Sequence, residues 1–571
     1  MAKGTQLGAG LLLMAGLAGA LDAAPAAAAP EVAEASILDL QAALSTGKLT
    51  SRQLVTAYLA RIAAYDQAGP ALNSIVTLNP AALAEADALD KERAAKGPRG
   101  PLHGIPVLVK DNYDTHDMPT TAGALALATL QPERDAFQVA RLRAAGAIIL
   151  GKTAMHELAA GTITISSLTG QSRNPYDPNR SPGGSSGGTG AAIAASFAAA
   201  GMGSDTCGSI RIPSAYQNLF GLRSTRGMAS RSGVVPLSDT QDIAGPLARS
   251  VTDLAIMLDA TVGEDPADAI TQGANAHVPK SYAAALQPGA LKGARIGILR
   301  SLFAVVPDDV DGNAIYDRTI AALRAAGAEV VEVALPGLDQ MLADTSASKY
   351  EFAGDLQRYL ASHKGAPVGS LAEIVNAGLH HDQLDTRLRQ PLASPDRNSA
   401  DYRTLLAKRV VVRAAADALL ARERLDAVLY PTALGRPPVI GAENIASNCQ
   451  FSAATGLPAL AFPAGFTPRG LPVGMELLGP AFSEPRLLAL AYGWEQTARP
   501  RQAPFSTPPL VAGKPPGPMA ATARLASSKA SATLRLRYDP LTARLHADVA
   551  ASGAGKDAPI AVAVHRRQGD G

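Results

Sequence analysis

The sequence predicts an α/β protein: a large twisted mixed β-sheet covered by helices on both faces, with a small C-terminal β-rich extension. Three observations predict it. GIPVLVKD, ending at Lys110–Asp111, is a short continuous apolar run, as expected of a strand buried on both faces. Residues 135–151 read as a helix, a break at Gly146 and the strand AIILG; residues 294–334 repeat this αβ pattern with RIGIL, a helix through TIAALRAAG, and EVVEVAL. GAAIAASFAAAG reads as a buried helix whose small side chains allow close packing.

The remaining elements follow in order. Residues 36–66 form two helices, the second opened by a capping box, Thr50 with Gln53. Leu54, Tyr58, Leu59 and Ile62 repeat at helical spacing and face the core. A polar helix covers PAALAEADALDKERAAKG. Residues 338–424 are helical with weaker patterning, the natural place for a substrate-facing insert. LDAVLYPTAL and LPALAFPAG return to strand, and FSEPRLLALAYGWEQTA closes a main domain of residues 29–508. A Pro/Ala/Ser linker spans 509–530. In the extension, 531–571, ATLRLRYD and ARLHADVA alternate at period two across the turn DPLT, and PIAVAVHRR is a candidate third strand. Leu534, Leu536 and Tyr538 share one face there, Arg535 and Arg537 the other. That apolar face docks on the main domain or a partner unless the tail stays disordered.

With 571 residues the chain can bury a large core, and its net charge of +2 is spread evenly. It has no basic stripe with interleaved aromatics, which excludes nucleic acid as an expected partner. Residues 1–28 resemble a signal peptide: Lys3, the apolar LGAGLLLMAGLAGAL, then an A-x-A site near Ala28. We therefore expect export, to a bacterial periplasm or beyond, with no stable membrane span after its removal. Two cysteines make no disulfide framework; Cys207 lies two residues before Ser209, where a bridge would constrain the site, so Cys207 and Cys449 are expected as separate thiols. No Cys/His cluster has metal-like spacing, and no metal or cofactor is expected. The pair His380–His381 is expected at the surface, because adjacent helical residues do not share a face.

Chemistry concentrates in two segments. Lys110 ends the apolar run, and Asp111 points to the opposite face. A free lysine titrates near ~10.4 and a useful base near ~7–8; burial can supply that shift of about 4 kcal/mol. Taken alone, Lys110 also fits a structural lysine paired with a carboxylate. The second segment, GGSSGGTG, begins at Gly183 and cannot be a P-loop, since no Lys-Ser/Thr follows at the required spacing. A second turn, SDTCGS, follows the short helix, so Ser185 or Ser186 comes close to Ser209. Serine is inert as a nucleophile until a neighbour takes its proton. The N–H groups of Thr206, Cys207, Gly208 and Ser209 are candidate donors to a developing oxyanion.

GIPVLVKDN, GKTAMHELA, SPGGSSGGTGAAIAA and SDTCGSIRIPS resemble the amidase signature family of serine hydrolases, over residues 36–508. The resemblance implies the amidase signature fold, with Ser209 as nucleophile, Ser185 as bridging serine after a cis peptide at Gly184, and Lys110 as base. Gly184, Ser186, Asp205 and Arg211 support the loops. The peptide amidase branch is the most similar, through SDTQDIAGPLARSVTD, ALKGARIGILRS, EFAGDLQRYLASHKGAPVGSLAEI and GPAFSEPRLLALAYGWEQ. It implies removal of a C-terminal peptide amide with release of ammonia; other small or aryl amides are the alternative substrates. Three positions depart from the family pattern. Cys207 stands where many members have Gly, Ser204 replaces a common Thr, and Ala154 replaces a common Asn.

Rival readings make different demands. Gly184-Ser185-Ser186-Gly187-Gly188 fits G-x-S-x-G with Ser186 as nucleophile, but that elbow must follow a strand and needs a histidine partner. His277, His363, His380, His381, His546 and His565 lack a suitable context. An amidotransferase subunit of the same family would need partner subunits, and a non-catalytic binding protein would not need Lys110, Ser185 and Ser209 together. The sequence sets no oligomeric state.

Overall fold

The computed structural model describes residues 30–303, 310–442, 446–526, 531–539 and 544–552. Eleven strands form one sheet. In chain order they are β1 Ile75–Leu78, β2 Pro106–Lys110, β3 Ile148–Thr153, β4 Ala200–Asp205, β5 Phe220–Arg223, β6 Ile243–Ala248, β7 Arg295–Leu299, β8 Glu329–Val333, β9 Ala427–Pro431, β10 Ala459–Phe466 and β11 Pro472–Leu478. Their order across the sheet is β1-β3-β2-β4-β6-β5-β10-β11-β9-β7-β8. The sheet is mixed: β3, β2 and β4 run parallel, as do β9, β7 and β8, with antiparallel pairs between.

The apolar runs sit where continuous hydrophobicity requires. Every residue of β2 and β3 is buried. The Ile37–Ser45 and Ser51–Tyr65 helices have complete capping boxes, the second from Thr50 and Gln53. Leu54, Tyr58 and Ile62 face the core, while Leu59 is half-buried. Strands β1, β4, β5, β6 and β11 escaped the sequence reading. AGMGSD of β4 lacks β-branched residues, and its glycines make room: a Cβ at Gly201 would lie 2.6 Å from Thr189 of the Gly187–Ala194 helix. That helix is shorter than GAAIAASFAAAG predicts. It ends at Ala194, Ser196 takes a φ of 55°, and Ala200 already belongs to β4.

Between residues 338 and 424 lie the helices Leu338–Leu342, Ser348–Ala361, Leu371–Asn376, Asp385–Ala393 and Ala400–Arg422. Phe352, Leu356 and Ile374 form a second apolar cluster with Ala122, Leu127 and Met155. The insert therefore packs on segments that directly follow β2 and β3. His380 is not at the surface: it lies in a turn rather than a helix, and its Nε2 meets Asp385 Oδ1 at 3.0 Å.

A separate three-stranded antiparallel sheet follows: β12 Met519–Ala526, β13 Ser531–Asp539 and β14 Arg544–Ser552. The second half of the predicted linker is thus a strand, because Ala523 and Ala521 pair opposite Leu534 and Leu536. The candidate strand PIAVAVHRR and the signal-like residues 1–28 lie outside the described residues. Leu545 and Val549 stay exposed on this sheet, as does Met519. Among the described residues, no helix is long and apolar enough to cross a membrane.

Candidate active site

Parallel neighbours β2 and β4 pair Val109 with Met202, so Lys110 and Asp205 end their strands at the same edge of the sheet. Ligand sites in open α/β sheets gather at the carboxyl ends of parallel strands. Two turns converge on this edge. Ser185 follows a cis peptide bond from Gly184, and the Thr206–Ser209 turn continues directly from β4. The Ser186 N–H donates to the Ser209 carbonyl at 3.1 Å and ties the two turns together.

Lys110 is fully buried. Its Nζ lies 2.7 Å from Ser185 Oγ, 2.8 Å from Ser204 Oγ and 3.5 Å from the Ser204 carbonyl. Among the described residues no carboxylate hydrogen-bonds or ion-pairs with it. Burial pulls its pKa down to about 7, against weaker opposition from Asp205 and Asp242. A neutral amine has two N–H groups for the Ser204 oxygens and a lone pair for the Ser185 proton. Ser209 is 4% exposed, and its Oγ makes no hydrogen bond among the described residues. The Ser209 hydroxyl is therefore free of side-chain partners among the described residues, and the Ser185 hydroxyl is bound to the amine.

Asp205 organises the Thr206–Ser209 turn. Its carboxylate accepts the N–H groups of Gly208 at 2.7 Å and Ile210 at 3.1 Å, and pairs with Arg211 and Arg223. Burial alone would raise its pKa, but the two guanidinium charges and these donors hold it well below the usual carboxylate range. Arg211 continues to Glu476 at 2.7 Å. This corrects the predicted donor set: the Gly208 N–H is occupied by Asp205, whereas those of Thr206, Cys207 and Ser209 make no hydrogen bond among the described residues.

Ser186 is a brace and not a nucleophile. Its Oγ donates to the Ser204 carbonyl at 3.2 Å and accepts the Ser204 N–H at 3.3 Å, with no histidine beside it. His156 adjoins these loops through its backbone N–H, which donates to the Ser185 carbonyl at 3.0 Å. Burial pulls its imidazole to about 3, so it stays neutral. The Ala154 carbonyl accepts the Gly188 N–H at 3.1 Å, and a Cβ on Gly188 would lie 2.2 Å from it, so this glycine is sterically required.

The two cysteines are not separate thiols. Cys207 and Cys449 form a disulfide across 242 residues of sequence. The expectation failed because the sheet brings the Cys449–Thr455 helix directly over the turn: a Cβ at Gly208 would sit 3.0 Å from Cys449 Cβ. Sequence reasoning also missed Asn112, which donates to Ser204 Oγ at 2.9 Å, and underrated Ser204, which holds the amine. No signal in the sequence marked either residue, because the pairing of GIPVLVKD with β4 that gathers them at Lys110 involves a strand the sequence does not announce. His116, Asp117 and Asp135 cluster as metal ligands would, but Arg143 pairs with both carboxylates.

A buried amine, two serines from separate turns and free backbone donors are the parts of a serine-based amide hydrolase. The amidase family profile matches residues 53–488, and the chain belongs to the amidase family. It has the amidase signature fold and is an amide-hydrolysing enzyme. The chain is similar to the peptide amidase of Stenotrophomonas maltophilia, at 39% identity and a TM-score of 0.77, covering 83% of this chain and 98% of that one. It is similar to an amidase family protein of Bacillus anthracis, at 32% identity and a TM-score of 0.75, covering 83% and 92%. By sequence it is 35% identical over 484 residues to one of the subunits of the glutamyl-tRNA(Gln) amidotransferase of Thermus thermophilus, covering 81% of this chain and 97% of that one.

Proposed function

We propose that this amidase hydrolyses C-terminal peptide amides through an acyl-enzyme on Ser209, with release of ammonia. The observation that carries the catalytic reading is the Lys110 amine, buried, its pKa pulled down to about 7, and 2.7 Å from Ser185 Oγ. Ser209 Oγ attacks the amide carbon and passes its proton to Ser185 Oγ. The Ser185 proton moves in turn to Lys110 Nζ. Negative charge collects on the former carbonyl oxygen, where the Thr206, Cys207 and Ser209 N–H groups support it. The same relay returns a proton to the leaving nitrogen, the C–N bond breaks, and water cleaves the ester by the reverse sequence.

Similarity to the Stenotrophomonas peptide amidase supports the substrate class. An ammonia-release assay over amidated peptides and simple aliphatic and aryl amides tests it. Peptide amides should turn over fastest in the wild type and not at all in Ser209→Ala; preference for aryl amides would reject the substrate, and an active Ser209→Ala would reject the nucleophile. A second reading, an amidotransferase subunit, is favoured by the similarity to the Thermus protein. Full amidase activity of the isolated chain rejects it. Residues 1–28 support the further proposal that the protein is exported and cleaved near Ala28; a periplasmic product that retains the native N-terminus would reject it.

A further inference from the structure

The bridge between Cys207 and Cys449 has one end inside the turn that carries Ser209. We infer that this disulfide positions the oxyanion turn, so that amide hydrolysis requires the bridge to be closed. The inference rests on the assignment of Ser209 and its turn made above.

The turn is anchored unevenly. Its far side hangs on Asp205 through the Gly208 and Ile210 N–H groups. On its near side Thr206 Oγ1 donates to Asp242, but the Cys207 backbone N–H has no partner among the described residues. The Thr206 carbonyl, on the same peptide unit, accepts Gln241 Nε2 at a long 3.4 Å, and the disulfide is the covalent hold on Cys207. The other end of the bridge is firmly seated: the Cys449 carbonyl accepts Arg211 Nη2 at 3.1 Å, and the preceding Asn448 donates to the carbonyls of Leu302 at 2.9 Å and Pro431 at 2.7 Å. Gly208, at a φ of +85°, lets Cys449 sit directly on the turn. The bridge thus holds a candidate oxyanion donor against a rigid support.

Neither cysteine is fully buried, so a dithiol reductant has access. One thiolate of the reductant attacks a bridge sulfur and the S–S bond breaks. The second thiolate resolves the mixed disulfide, leaving two protein thiols and an oxidised reductant. The Asp205 bonds persist, so the fold survives while the Cys207 N–H loses its fixed direction. Removing one well-aimed oxyanion donor costs about 10²–10³ in kcat, and a misaimed one costs part of that. An enzyme built this way is slowed in a reducing cytoplasm and fully active where disulfides persist.

The experiment measures ammonia release from an amidated peptide by the full chain, before and after reduction with dithiothreitol, with alkylation and mass analysis to count thiols. Reduction should lower kcat by roughly ten- to a hundredfold and change KM less than about threefold. Near-UV circular dichroism should stay native, and reoxidation should restore the rate. The double variant Cys207→Ala/Cys449→Ala should sit at the reduced rate and ignore the reductant. A reduced protein with two free thiols and full kcat overturns the inference, and so does a loss of activity that only follows loss of the native dichroism. Activity in Ser209→Ala would instead remove the assignment underneath.

Discussion

Two buried lysines stand on adjacent parallel strands and do opposite things. Lys110 on β2 and Lys152 on β3 are both fully enclosed, and in register Val109 lies opposite Lys152 while Lys110 lies opposite Thr153. Lys152 faces a carboxylate: its Nζ is 3.2 Å from Asp111 Oδ1 and donates to the Pro119 carbonyl and Thr120 Oγ1 at 2.9 Å each. Lys110 faces only serine oxygens. Burial lowers both amines, but Asp111 opposes it directly at Lys152, whereas Lys110 falls to about 7. Burial is common to the two sites. The acceptor within reach decides whether the amine is held as a charged strut or left free to act as the base proposed above.

The sharpest test of that contrast is deletion at the base. Ser209→Ala and Ser185→Ala should each lower kcat by about 10⁴ or more, since members of one relay fail as a unit. Lys110→Met should cost about 10³ with thermal unfolding little changed. A mild Ser185→Ala would take the relay apart. At the strut the expectation inverts. Asp111→Asn leaves Lys152 without its carboxylate and should cost about 3–5 kcal/mol of stability in urea unfolding. The kcat of the protein that remains folded should hold within about threefold, and a dead but equally stable variant would erase the distinction.

Acidity gives the next measure. The active form of Lys110 is neutral and its pKa is about 7, so kcat/KM should fall about tenfold per pH unit below that point and level off above it. A profile flat from pH 5 to 9 contradicts Lys110 as base. The smallest effect is at Ser204, whose Oγ accepts from Lys110. Ser204→Ala removes a bond that favours the charged amine and should move the profile about half a unit to the acid side, while Ser204→Thr should leave it in place.

Much of this site was legible because its chemistry is local in sequence. GIPVLVKD announces a buried strand with a lysine at its end, and the two glycine turns flank one short helix. The alternation that turns Asp111 away from Lys110 held, and the carboxylate-paired alternative imagined for Lys110 is realised one strand away at Lys152. What stayed hidden depends on long-range approach. Cys207 meets Cys449 only because the sheet folds the second half of the chain over the first. Strand β4 was illegible because AGMGSD lacks β-branched residues, and its two ends were absorbed by the predicted helix GAAIAASFAAAG and the turn SDTCGS. The strand inside the predicted linker was masked by small side chains, which composition cannot tell from disorder.

Arg61 has a consequence for where the catalytic body ends. Its buried guanidinium donates to the Ala195 and Ser196 carbonyls beyond the Gly187–Ala194 helix, and equally to those of Thr507 and Pro508. Tyr65 adds its hydroxyl to the Pro508 carbonyl at 2.8 Å. One cation is thereby clasped between the segment that leaves the serine loop and a stretch more than three hundred residues downstream. A chain cut ahead of Thr507 would strand that charge in a dry interior, whereas a chain cut after Leu510 would keep the clasp whole and shed only the terminal sheet.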